Sequence, residues 1–190
     1  MGGMETLIDE LKGMLSQAGF AAFRIFDPAR AASLMADVCT GGHADLSAAE
    51  RLLSLRCPVL IAAFPVPSEA AVPPAQAAGR IAPFACGNYY REAVRRLDLI
   101  SVRLTGRHSP LAFSNSRLPE KLLAAVSSLG FYGKQSLIII PGLGTRFILA
   151  GMALPDFGPG SVVLRPCAGL DPPQAKRDFL RPPPWRPPHA

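Results

Sequence analysis

The sequence has few of the residues that hold metal ions or form disulfides. Among its 190 residues are four cysteines, Cys39, Cys57, Cys86 and Cys167, and three histidines, His43, His108 and His189. No two cysteines form a C-x-x-C pair, and the histidines lack a metal-ligand spacing such as H-x-x-x-H. The sequence alone therefore excludes local iron–sulfur and zinc motifs of these kinds.

Long hydrophobic runs are also missing, although hydrophobic residues make up 49% of the chain. Pro141 and Arg146 interrupt the most apolar region, so we expect no membrane-spanning segment. The amino terminus carries acidic residues in place of the basic and then apolar pattern of a signal peptide, which favours a cytoplasmic protein. The length suits one core of ordinary size.

Charged residues are scarce, at 18% of the chain, but unbalanced, with a formal net charge of +6. Part of the excess lies in residues 166–190, where basic residues are scattered among prolines without an apolar period, and we expect this tail to be disordered. The positive balance favours a polyanionic partner. The basic and aromatic stripe of a dedicated nucleic-acid platform is absent.

Hydrophobic periodicity predicts a helix and two strands in the first third of the chain. Thr6 is expected to cap the helix, and Gly19 to end it before a strand over Phe20 to Phe26. The continuous apolar run from Cys57 to Phe64 predicts a second, buried strand.

The stretch from Phe113 to Leu154 is the most specific part of the sequence. Pro119 and Glu120 suit a first helical turn, and Gly130 is well placed to end that helix. Ser136 to Ile140 is a continuous apolar and β-branched run, which predicts a strand covered on both faces.

Between this helix and this strand lies a turn that contains Gly133 and Lys134. Such a turn can bring backbone donors and an ammonium close to a ligand. It is no P-loop, because Ser128 stands at the first glycine position and Gln135 follows the lysine. The Pro-Gly-Leu-Gly of residues 141–144 is no dinucleotide fingerprint, because a predicted strand follows it in place of a helix. The residues alone leave both a ligand cradle and a purely structural turn open.

Two motifs carry a resemblance to a known family. Residues 129–139, LGFYGKQSLII, with GTRFILAG at 144–151, and residues 80–91, RIAPFACGNYYR, resemble segments of the epoxyqueuosine reductases. The resemblance covers roughly residues 4–155. In the second motif Tyr90, Val94 and Leu97 also have the spacing of an apolar helix face, and the neighbouring arginines are expected on its solvated face: Arg91, Arg95 and Arg96.

The resemblance implies a fold and a division of the chain. The fold would be α+β, a three-layer α/β/α arrangement with a mostly antiparallel central sheet, as in nitroreductases. Irregular alternation of strand and helix candidates agrees with such a sheet. Residues 1–165 would form a cobalamin-binding reductase-like domain, followed by the tail of residues 166–190.

The resemblance also implies an activity: cobalamin-dependent reduction of epoxyqueuosine to queuosine in tRNA. The implied partners are tRNA and a separate electron-transfer protein. The implied cofactor-binding residues are Tyr90, Gly133, Lys134, Gln135, Ser136, Ile138 and Leu149.

Two departures from the family pattern predict that this chain alone is incomplete or inactive. Family members carry two four-cysteine runs for two [4Fe-4S] clusters, whereas here Cys167 falls where the first would begin and Leu170 replaces its second cysteine. No such cluster is expected in this chain, and truncation or a frameshift is one hypothesis. Ser114 occupies the position of the family's presumed proton-donor aspartate, and a hydroxyl is a far weaker acid.

Two alternatives to a reductase remain at this point. One is a non-catalytic corrinoid-binding or interaction protein, which the serine and the missing cysteines favour. The other is a flavin-binding, nitroreductase-like protein, against which the absence of an arginine-rich amino-terminal phosphate signature argues.

Overall fold

The computed structural model describes residues 2–29, 31, 54, 57–66, 83–85, 87–109, 111–116, 118–155 and 157, and the structural statements below concern these. The elements, numbered along the described chain, are α1 Gly2–Gln17, β1 Ala22–Phe26, β2 Val59–Pro65, a 3-10 turn Pro83–Ala85, α2 Tyr89–Thr105, β3 Ala112–Phe113, α3 Glu120–Val126, β4 Phe131–Tyr132, β5 Ile138–Ile139 and β6 Phe147–Ala153. The predicted tail, 166–190, lies outside the described residues, as do five of the seven cysteines and histidines: Cys39, Cys86, Cys167, His43 and His189.

Four strands form the main sheet, in the order β1-β2-β6-β3, and each described pairing is antiparallel. The longest ladder joins β2 to β6 from Val59 opposite Ala153 to Pro65 opposite Phe147. β4 and β5 form a separate two-stranded hairpin. The α+β class and the mostly antiparallel sheet are therefore confirmed.

β2 is fully covered because its residues are apolar on both faces. Leu60, Ala62 and Phe64 belong to one core cluster, which α1 and α2 complete. The alternate residues of β2 belong to a second cluster with α3 and the β4–β5 hairpin. Alternation along the pleat explains this division. The three-layer, nitroreductase-like arrangement stays a prediction, because these contacts fix the two clusters but not the whole of both outer layers.

The first helix begins earlier than the sequence indicated. α1 starts at Gly2, so Thr6 lies inside the helix, and the prediction that it caps the helix is wrong. Gly19 ends the helix as expected, with φ of 84°. Its N–H donates to Ser16 O at 2.9 Å, and the left-handed conformation lets the chain turn directly into β1.

The second helix, α2, is capped at both ends. The Asn88 side chain accepts from the Arg91 N–H at 3.1 Å, and Gly106, with φ of 71°, donates its N–H to Val102 O at 2.8 Å. The predicted helix is confirmed, but its apolar face is displaced. Leu97 is buried as expected, whereas Tyr90 is 41% exposed.

The buried stripe of α2 consists of Ala93, Leu97, Ile100 and Ser101. The prediction placed Arg96 on the solvated face with the other arginines, and this is wrong. Arg96 Nη1 donates to Ala18 O at 2.7 Å, and its guanidinium lies 4.9 Å from the ring centroid of Phe64. It therefore joins the end of α1 to α2 and covers an edge of the core.

The third helix begins at Glu120 as predicted but ends at Val126, four residues before Gly130. Ser128, with φ of 59°, adopts the left-handed conformation that was expected of the glycine. Gly130 serves close packing: a Cβ there would lie 2.6 Å from Ile139 O. The glycine lets the β4–β5 hairpin approach the end of α3.

Candidate functional site

The Gly133–Lys134 turn is the tip of the β4–β5 hairpin. Gly133 N donates to Leu137 O at 2.7 Å, and Ser136 N donates to Gly133 O at 3.0 Å. Ser136 has φ of 58°. These features define a three-residue loop, Lys134 to Ser136, whose last residue is left-handed. The hairpin thus projects a polar tip from the second core cluster.

The predicted strand Ser136–Ile140, covered on both faces, is wrong in extent and in environment. β5 contains only Ile138 and Ile139, and its partner is β4. Ile138 and Ile140 are buried, whereas Leu137 is 42% exposed. The apolar run thus alternates between the core and solvent, as expected of a strand at the edge of the fold.

In the described residues this strand and the strand after the Pro-Gly turn belong to different sheets. β5 belongs to the hairpin and β6 to the main sheet. Ile140 and Gly144 form a single bridge, with N–H to O distances of 2.9 Å in both directions. The residues between them turn the chain from the hairpin toward β6.

Gly133 does not open a cradle on the side where a Cβ would project. A Cβ at this position would lie 2.9 Å from Ile139 Cδ1, so the isoleucine side chain occupies that space. Packing within the hairpin thus explains the missing side chain. The surface that remains available to a ligand is the exposed tip formed by Lys134, Gln135, Ser136 and Leu137.

The tip is fixed to the neighbouring helix. Lys121, on the first turn of α3, donates from Nζ to Ser136 O at 3.2 Å. Tyr132, half-buried in β4, has its pKa raised because burial disfavours the phenolate. The tip residues are therefore presented by a hairpin with one buried and one exposed side.

Ser114, the residue at the predicted acid position, follows β3 directly. Its hydroxyl donates to Leu149 O of β6 at 2.6 Å. Asn115 continues the chain with φ of 50°, and the next serine, Ser116, donates to Glu120 Oε1 from N at 2.7 Å and from Oγ at 2.9 Å. Glu120 therefore holds the entrance to α3, and the Ser114 proton is engaged with a carbonyl.

The structure brings some predicted site residues together and separates one. Gly133, Lys134, Gln135, Ser136 and Ile138 share the hairpin, and Ile138 is buried beneath the tip. Leu149 lies half-buried on β6, packed against the same second core cluster as the hairpin.

Tyr90 lies on α2, which packs on the opposite face of the sheet. Ser109 connects the end of β6 to α2. Its Oγ donates to Ala153 O at 3.2 Å, and its N–H donates to Asp98 Oδ1 at 3.1 Å. Tyr90 precedes Asp98 by two helical turns, about 12 Å along the axis. Tyr90 is therefore distant from the Asp98–Ser109 contact, and it is the predicted site residue that the structure separates from the hairpin.

The sequence reasoning missed two exposed apolar residues near these motifs. Phe84, in the 3-10 turn before α2, is 61% exposed, and Leu137 is 42% exposed. Both stand in motifs that resemble the family; Leu137 lies in the strand that was predicted to be covered, and no burial was predicted for Phe84. The signal that was available is their position within loop-forming segments, after a proline and after a serine respectively.

Other described groups with shifted pKa values lie outside the hairpin. The pKa of Glu92 falls to about 2 because Arg95 and then Arg96 donate hydrogen bonds to its carboxylate. Burial raises the pKa of Cys57 and lowers that of Arg24, whose Nε is buried without a hydrogen-bond partner. Within the described ranges no three potential ligands are grouped for a metal ion, and no helix has the length and apolarity to cross a membrane.

Comparison of the whole structure with solved structures finds epoxyqueuosine reductases. A selenomethionine-labelled epoxyqueuosine reductase is 18% identical with a TM-score of 0.62, and the match covers 89% of this chain and 51% of that one. The Bacillus subtilis enzyme, solved with its aspartate-containing catalytic loop swung out of the active site, is 19% identical with a TM-score of 0.56, covering 90% and 51%.

A third structure contains an epoxyqueuosine reductase with an epoxyqueuosine-modified tRNA-Tyr stem loop. It is 18% identical with a TM-score of 0.58, and the match covers 88% of this chain and 50% of that chain. The present chain thus spans about half the length of these structures. Neither a family model nor a curated protein matches the sequence. The likeness establishes a shared fold, which confirms the resemblance that the motifs indicated.

Proposed function

We propose that this chain is an epoxyqueuosine-reductase-like protein that binds cobalamin and acts in the reduction of epoxyqueuosine to queuosine in tRNA, with little or no turnover by itself. The observation that carries this proposal is the shared fold over 86–90% of the chain. The two sequence motifs support it, because they fall on the hairpin and on the start of α2. The comparisons do not favour a flavin protein.

The exposed hairpin tip fits the edge of a corrinoid. Leu137 offers an apolar surface, and Lys134 and Gln135 offer donors for the amide groups at the macrocycle rim. Gly133 contributes indirectly, because its missing side chain lets Ile139 pack beneath the tip. When bound, cobalt would supply the two-electron reduction that protein side chains do not. The hairpin would orient the cofactor and shield one edge from water.

Conversion of an epoxide to an alkene breaks both C–O bonds and consumes two electrons and two protons, releasing the oxygen as water. At the position of the presumed acid, this chain has the Ser114 hydroxyl, and that hydroxyl donates to Leu149 O. It is a weak acid and its proton is already engaged. The electrons would come from a separate electron-transfer protein, because this sequence has no cysteine run for a cluster.

A tRNA is the proposed polyanionic partner. The relative solved with a tRNA stem loop shares the fold, and the net charge of +6 favours a phosphate backbone. A role in tRNA modification agrees with the cytoplasmic location that we expect from the sequence.

Titration of the purified chain with cobalamin and, separately, with FMN tests the cofactor. We expect a change in the corrinoid spectrum and co-elution of the corrinoid with the protein in gel filtration. Leu137→Asp should weaken corrinoid binding at least about tenfold, since it places a charge against the macrocycle edge. Leu99→Asp is the matched control, because Leu99 is equally exposed, at 44%, on α2. Bound FMN, or equal loss in both variants, contradicts the proposal.

Turnover is tested separately with modified tRNA, cobalamin and a strong chemical reductant. The wild-type chain should form little or no queuosine. Ser114→Asp introduces a carboxylic acid at the proposed donor position and should raise product formation above wild type. Substantial queuosine formation by the wild-type chain would show that another group supplies the proton.

A further inference from the structure

Directly after β3, a side chain ties the chain to β6. The β3–β6 ladder contains two pairs and ends with Phe113 opposite Gly151. At the next residue the Ser114 hydroxyl donates to Leu149 O at 2.6 Å. This bond replaces the rung at which the chain would otherwise leave the sheet.

The partner of Ser114 lies in a rigid part of the fold. β6 is an inner strand, paired with β2 on one side and β3 on the other. Leu149 is opposite Ala63 in the longest ladder, so its carbonyl is held in place. The hydroxyl therefore ties the segment after β3 to an inner strand.

The far end of the same segment is also tied. Ser116 donates from N and Oγ to Glu120 Oε1, and Leu118 N donates to Ser116 Oγ at 3.0 Å. Leu118 is buried in the second core cluster. The contacts of Ser116 and Leu118 hold the α3 end of the segment. The Ser114 hydroxyl holds its other end on β6.

We propose that Ser114 is a latch: a positioning residue that closes the β3–α3 segment onto β6, in the place where the proposed reaction needs an acid. That an acid is needed at position 114 rests on the proposed function. A hydroxyl has the proton that Leu149 O accepts, whereas a carboxylate has none and is repelled by the carbonyl dipole. At neutral pH a serine therefore closes this segment and an aspartate releases it.

Hydrogen exchange of the unliganded chain, read by mass spectrometry on peptides that contain residues 113–118, tests the latch. Ser114→Ala should accelerate exchange of these amides about fivefold, as expected for loss of one hydrogen bond. Ser114→Asp should do the same, although its side chain is longer. Ser114→Thr keeps the hydroxyl and should exchange like wild type.

Ser101→Ala is the matched control, because Ser101 Oγ also donates to a backbone carbonyl, Arg107 O, at 3.0 Å. It should leave exchange at 113–118 unchanged. Wild-type exchange in Ser114→Ala, or fast exchange in Ser114→Thr, overturns the latch. The measurement needs no corrinoid, so its failure is distinct from failure of the cobalamin titration.

Discussion

Among the described glycines, Gly151 is the one at which an added Cβ would meet the closest atom. It lies on β6, opposite Ile61 on one side and Phe113 on the other. A Cβ built there would lie 2.4 Å from Phe113 Cζ and 2.6 Å from Leu60 O. Its φ is not in the left-handed region, so the glycine is required by contact and not by backbone conformation.

Replacement by alanine should therefore destabilise the chain strongly. Ordinary carbon contacts are about 3.5–4.0 Å, so the Phe113 ring must move by about 1 Å while the carbonyl of an inner strand blocks the other side. Such overpacking costs about 3 kcal/mol. For a chain of this size that corresponds to a fall in Tm of about 6–12 °C.

The assay is chemical and thermal denaturation of Gly151→Ala beside Gly13→Ala. Gly13 lies inside α1, and apart from its own helix backbone no described heavy atom lies within 4 Å of its Cβ position, so alanine should stabilise there by about 0.5–1 kcal/mol. Phe113→Leu should recover part of the loss in the Gly151→Ala background, because the shorter side chain removes the nearer contact. A neutral Gly151→Ala, or strictly additive effects in the double variant, would refute the reasoning.

Two further predictions concern the α1–α2 contact. Arg96→Ala should cost about 2 kcal/mol in denaturant titrations, because it removes the bond to Ala18 O and the contact with Phe64. Arg95→Ala, whose side chain is 59% exposed, should have a much smaller effect than Arg96→Ala, and equal losses would contradict this assignment. The pKa of Glu92 is lowered from 4.5 to about 2, so its stabilisation is complete above pH 4.5 and disappears as the pH falls through 2. Glu92→Gln should flatten the dependence of the unfolding midpoint on pH in this window. An unchanged slope would show that Glu92 does not cause this dependence.

The long elements could be predicted from the sequence because their signals extend over many residues. β2 and β6 lie within one or two residues of the predicted strands, and α2 was indicated by its periodicity. The apolar face of α2 was displaced because Ala93, a small residue, lies at its centre, while the larger Tyr90 is exposed. Near the start of α2, the size of a side chain therefore did not predict whether it is buried.

The errors around the hairpin have one physical cause. Ser128 and Ser136 adopt positive φ, with values of 59° and 58°, although glycine is the residue that signals this conformation. The prediction therefore assigned the helix end to Gly130 and extended the strand through Ser136. The structure instead needs Gly130 for close contact with Ile139. A glycine in the sequence does not show whether the fold needs it for a positive φ or for close packing.

The candidate site shows the same limit over a longer distance. The motif located the hairpin tip, but not the filling of the space beside Gly133 by Ile139. It identified Ser114 as a departure from an acid, but not the carbonyl of Leu149, 35 residues away, that accepts its proton. Contacts of this range depend on the register of β6, which no local pattern specifies.

Binding and turnover make separate demands on this fold, and the described residues meet them unequally. Binding of the proposed cofactor needs an exposed tip, and Lys134, Gln135 and Leu137 are exposed. Turnover needs an acid that can part with its proton, whereas the Ser114 hydroxyl is weakly acidic and bonded to the sheet. The tip and Ser114 are held by different contacts, Lys121 Nζ to Ser136 O and Ser114 Oγ to Leu149 O. On the proposed function, a substitution at Ser114 is therefore expected to leave the tip undisturbed.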